Sequence, residues 1–114
     1  MWLAARDSRL SERSKLLLQD QSSAILLSAV VVWEVAIKRA TGKLRAPERF
    51  VSTLLDGGAD PLAITIEHAQ GAGALPLNHR DPFDRMLVAQ AQLEEAVLLS
   101  ADPALRAYDV RVEW

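Results

Sequence analysis

Short, unbroken apolar runs alternate along the chain with longer segments in which apolar residues recur every three or four positions. The runs AILLS (24–28) and AVLLS (96–100) predict strands covered on both faces, and PLAI (61–64) is strand-like. VRVEW (110–114) alternates, as a half-buried strand does. Helix signals fill the intervals. Ser11 precedes ERSKLLLQD, a capped helix of about two and a half turns. Ser28 caps AVVVWEVAIKRA, which stops at Gly42 with Lys38, Arg39 and Lys43 near its negative end. Pro47 opens ERFVSTLLDG, closed by Gly57 and Gly58, and Thr65 caps IEHAQGAG. Asp81 and Pro82 open a further apolar-striped helix, and Asp102 and Pro103 open a short turn, PALRAY.

Buried strands separated by helices predict an α/β fold with a mainly parallel sheet. At 114 residues, half of them hydrophobic, the chain is one domain over 1–114. It has no cysteine, which excludes disulfides and thiolate metal sites and fits a reducing cytoplasm. The longest apolar run, Ala24 to Trp33, falls well short of the roughly 20 residues of a membrane span, and no leader pattern opens the chain. A soluble, cytoplasmic protein with no membrane partner is therefore expected. The net charge is −2 and the basic residues are scattered, which argues against a basic stripe for tight, static nucleic-acid binding.

In parallel α/β folds, ligands gather beyond the carboxyl ends of the strands, so acids just after strands are candidate site residues. Asp102 directly follows AVLLSA. It is a natural N-cap, and capping leaves acceptor capacity for a second role. With Pro82 at the first helical position, Asp81 becomes the cap and Asp84 the third helical residue. Asp84 shares its face with Leu87, Val88 and Ala91, where a lone charge would be costly. Glu34 interrupts an apolar helix, with Val30, Val31 and Ile37 on its own face. A pair with Lys38 is sterically natural, but such pairs contribute only about 0.3 to 0.5 kcal/mol.

Convergence of Glu34, Asp84 and Asp102 would require a cation. Two carboxylates about 4 Å apart repel by about 4 kcal/mol at an effective dielectric of about 20. An all-oxygen ligand set suits magnesium or manganese. Such an ion can acidify a bound water and stabilise charge on a phosphoryl oxygen, the requirements of phosphodiester hydrolysis. Arg80 and Arg85 flank the acid pair as candidates for phosphate contact or as solvated side chains. His68 and His79 lack partners at ligand spacing and read as a helix-surface and a loop residue. Trp2, Trp33 and Trp114 read as core or interface residues. No phosphate-binding glycine loop or serine nucleophile elbow is present.

The segments LLSAVVVWEVAIKRATGKL, ALPLNHRDPFDRMLVAQAQLE and LLSADPALRAYDV together resemble the PIN-domain ribonuclease toxins of the VapC type, the toxin half of type II toxin-antitoxin pairs. The three motifs occur in the family's order and cover nearly the whole chain. The resemblance implies a PIN-like three-layer fold and a magnesium or manganese cluster held by acids at Glu34, Asp84 and Asp102. It also implies an RNA substrate, a cognate antitoxin that blocks the site, and a homodimer. Family members open with an apolar central strand that ends in aspartate. This chain opens MWLAARDSRL, as though just after that strand, and Asp7 falls in the loop before the first helix cap. The expectation is thus an N-terminally truncated domain whose central strand is missing, at a cost of roughly 10 kcal/mol of burial, and whose metal cluster is one acid short. The functional expectation is a metal-dependent endoribonuclease toxin. The alternatives are a catalytically impaired relative that only binds antitoxin or pairs with intact subunits, and an α/β interaction module whose acids merely cap helices.

Overall fold

The structure is a computed structural model and describes residues 1–5, 13, 16, 24–43, 49–76 and 81–114. Among these, Trp2–Ala4 (β1), Ile25–Ser28 (β2), Asp60–Leu62 (β3), Val97–Leu99 (β4) and Val112–Glu113 (β5) form one sheet in the order β3-β2-β1-β4-β5. Every neighbouring pair is parallel. Helices Ala29–Ala40 (α1), Phe50–Asp56 (α2), Ile66–Ala74 (α3) and Pro82–Leu93 (α4) lie between the strands, and a 3-10 turn spans Pro103–Ala107. The parallel α/β architecture expected from the sequence is the one observed. Of the predicted helix after Ser11 only residues 13 and 16 are described, both helical, and the predicted start at Pro47 falls outside the described residues.

The caps act where the sequence places them. Ser28 accepts a hydrogen bond from the Val30 N–H, Asp81 from those of Phe83 and Asp84, and Asp102 from that of Ala104. Thr65 forms a reciprocal capping box with His68. Each satisfies N–H groups that the first helical turn leaves without partners. Strand β3 starts one residue earlier than its apolar run suggests, because its register pairs Leu26 with Asp60. Pro61 is tolerated there because β3 is an edge strand.

The sheet has no central gap, which corrects the expectation of a missing strand. Residues expected to follow that strand instead form it: β1 lies between β2 and β4 and bonds to both sides. The Trp2 N–H donates to Ala24 O at 2.8 Å, the Val97 N–H to Met1 O at 3.0 Å, and the Ala5 N–H to Leu99 O at 3.0 Å. The physical reason is that β2 and β4 would otherwise face each other with unpaired backbone groups. Their partner need only be short and apolar, and WLA is both. Leu3 and Ala4 are completely buried, in a core with Leu26, Leu27, Val30, Val31, Leu87, Val88 and Leu98. Ala4 and Ala5 stand at its carboxyl end.

Candidate functional site

Helix α1 starts directly from the end of β2 at Ser28, which puts Glu34 about 9 Å along its axis. The first turn is anchored by buried Val30 and Val31. Ile37 is 38% exposed, so the apolar face that carries Glu34 is covered only in its first half. The Glu34 side chain is 14% exposed, and its Oε2 lies 3.4 Å from the Lys38 Nζ, so the i,i+4 pair that the sequence reading gave little weight is formed. Asp84 is half-buried at the third position of α4, one turn before buried Leu87 and Val88. Asp102 is held by its own capping bond, 2.9 Å from the Ala104 N–H, while its backbone N–H donates to Ser100 Oγ at 3.1 Å.

A ring contact and a hydrogen bond are among the contacts that join the acid-bearing helices. The rings of Trp33 and Phe83, each one residue before an acid, meet edge to face with centroids 4.9 Å apart. At the other end, the Ser28 hydroxyl donates to Gln90 Oε1 at 2.5 Å. The contacts occur in opposite chain order, so segments 28–33 and 83–90 pass antiparallel. Glu34 and Asp84 thus belong to one helix pair, while Asp102 comes from the loop after β4.

The donor set is all carboxylate oxygen, which suits a hard divalent cation in kind. Its arrangement is less complete: among the described residues, no three His, Asp or Glu side chains stand close enough together to hold an ion. Lys38 engages Glu34, and a helix-opening N–H engages Asp102.

Trp33 is 57% exposed, which leaves the interface alternative of its expected core or interface role. It lines an apolar groove of about 470 Å³ with Leu27, Val32, Leu55, Leu62 and Ala63. His68 is buried, not on the helix surface, because its ring completes the capping box and faces α4. Arg85 donates to the carbonyls of Pro76, Ala72 and Leu75 rather than standing solvated. His79 and Arg80 lie outside the described residues. Gln90 has no role in the sequence reading: a glutamine in the apolar run MLVAQA is visible there, but the partner that would explain it is not.

The sequence matches the PIN domain family over residues 1–111. The chain belongs to that family. Its PIN fold is shared by VapBC2 from Rickettsia felis, solved bound to a DNA fragment from their promoter, with a TM-score of 0.71 and 14% identity over 99% of this chain and 98% of that one. FitAcB from Neisseria gonorrhoeae matches with a TM-score of 0.63 and 17% identity, over 98% of this PIN domain and 96% of the other chain. No curated protein matches by sequence.

Proposed function

We propose that this PIN domain is a VapC-type toxin acting in the cytoplasm, an endoribonuclease that hydrolyses RNA phosphodiester bonds and is neutralised by a cognate antitoxin. The carrying observation is a PIN match over residues 1–111 in a chain whose Glu34 and Asp84 sit on two helices that touch one residue before each acid. In this reading Glu34, Asp84 and Asp102 hold magnesium or manganese. When bound, the ion supplies the charge that acidifies water and steadies the phosphoryl oxygen. The protein's part is to present carboxylates from three segments beyond the carboxyl ends of the strands. Without a cation their mutual repulsion favours the separate partners that Glu34 and Asp102 have.

RNA cleavage measured with magnesium, with manganese and with a chelator tests the reading. Asp84→Asn is expected to lower metal-dependent cleavage by at least about 100-fold, the upper range for residues that merely support a ligand. Unchanged cleavage would remove Asp84 from the site.

We assign the antitoxin to the apolar groove beside Trp33, because Val32, Trp33 and Leu55 leave a large apolar surface uncovered there. The two structural neighbours, solved as VapBC2 and FitAcB, support a partner of this kind. Leu55→Asp, on α2, which carries none of the three acids, should abolish inhibition by antitoxin and leave cleavage intact. Retained inhibition would place the antitoxin elsewhere.

A second reading, a catalytically weak relative that still binds antitoxin, is favoured by Ala4 and Ala5 standing where the family resemblance implies an acid. Antitoxin binding without metal-dependent cleavage would select it.

A further inference from the structure

One buried polar chain runs through the molecule. The Ser28 hydroxyl accepts from the Val30 N–H at 3.0 Å and donates to Gln90 Oε1. The Gln90 amide nitrogen, in turn, lies 3.4 Å from Ala63 O and 3.3 Å from His68 Nδ1. His68 Nδ1 also accepts from the Thr65 N–H at 3.1 Å, so it faces two donors and carries the lone pair. The ring's other nitrogen then donates to Glu94 Oε1 at 3.0 Å. Ser28, Gln90 and His68 are essentially solvent-free. Every bond direction is consistent with the next, which fixes the amide orientation of Gln90.

An apolar side chain of similar size could fill the space of Gln90, so burial alone does not account for a glutamine. What a leucine could not do is hold one particular register. Gln90 grips the N-cap of the helix that carries Glu34 from within the helix that carries Asp84. Each acid lies six residues from this bond along its own helix, or about 9 Å. A small slide or rotation at Ser28–Gln90 therefore displaces both carboxylates. We propose that Gln90 is a positioning residue: through Ser28 it sets the height and rotation at which α1 meets α4, and His68 holds its amide in the orientation that does so. This rests on the reading of Glu34 and Asp84 as metal ligands.

The test uses the full chain, whose lack of cysteine allows a spin-label pair to be introduced at exposed positions by Ala40→Cys and Leu93→Cys. In Gln90→Leu, the inter-label distance distribution should shift or broaden, and manganese affinity measured by calorimetry should fall about tenfold, as for other residues that orient ligands. Ser28→Ala, which also loses the cap, should do at least as much, and adding Gln90→Leu to it should lower the affinity no further, because the bond the two share is already gone. An unchanged distance distribution in folded Gln90→Leu overturns the proposal, as do losses that simply add. His68 gives a second route should Gln90→Leu fail to fold. Asn places an acceptor where Nδ1 stands, whereas Gln replaces only the outer nitrogen, so His68→Asn should keep the parental manganese affinity and His68→Gln should lose it. The reverse order overturns the proposal. A parent chain that binds no manganese would refute the metal reading instead, and the label distances would still decide whether Gln90 positions the helices.

Discussion

Arg85 shows how far a side chain's role can lie from its sequence neighbourhood. It stands beside Asp84, where phosphate contact is a natural thought, yet its guanidinium bonds the carbonyls of Ala72, Leu75 and Pro76 at 2.8, 3.0 and 2.8 Å. These include the open end of α3, where a cation is also favoured by the helix dipole. Arg85→Met should destabilise the fold by about 1.5 to 3 kcal/mol, the range for hydrogen bonds to a charged group, measured by urea unfolding. Arg85→Lys should recover only part, since an ammonium cannot fork to three carbonyls. Loss of RNA binding with no change in stability would return Arg85 to the phosphate role. His68 makes the same point: on sequence it has no partner, whereas folding gives it the Thr65 N–H, Gln90 and Glu94.

At the scale of elements, the caps were legible because each depends on contacts a few residues away. Ser28, Thr65, Asp81 and Asp102 open their helices as the sequence implies. The end of α1 is equally local. The Gly42 N–H donates to Arg39 O and the Lys43 N–H to Lys38 O, with Gly42 at φ 72°, the pattern of a Schellman cap. A Cβ at Gly42 would meet nothing within 4 Å, so only the backbone conformation resists substitution. Gly42→Ala should cost about 1 to 2 kcal/mol in thermal unfolding, and Gly42→Asn less, because asparagine tolerates the left-handed region. Equal costs would mean that something other than backbone conformation governs the position. The candidate acids were partly legible in the same way, since helix periodicity puts Asp84 above Leu87 and Val88. Their mutual distances were not, because helix packing sets those.

At the scale of the whole molecule, β5 closes one edge of the sheet, and Glu113 at its end is clasped by two arginines. Arg111 Nε lies 3.1 Å from Oε1 and Arg13 Nη2 2.9 Å from Oε2. The Arg111 hydrogen bond above all holds the Glu113 carboxyl below its ordinary value of 4.5; desolvation, the next largest effect, opposes it, and Arg13 adds to the lowering. A carboxyl lowered in the folded state binds fewer protons there than in the unfolded chain. Its contribution is thus present above pH 4.5 and is lost as pH falls through the lowered value. Glu113→Gln should flatten that acid limb of the stability curve and leave its slope near neutral pH unchanged. An identical acid limb in the variant would show that the clasp contributes nothing.

What the sequence determined by itself was local: where helices open and close, which runs are buried, and that the strands run parallel. What only the tertiary structure decided was pairing at long range. Three apolar residues at the start of the chain serve as the central strand because β2 and β4, far apart in sequence, leave a slot whose backbone groups need partners on both sides. Gln90 and His68 become a buried link for the same reason, since hydrogen-bond partners brought together by folding leave no periodic trace in the residues that carry them.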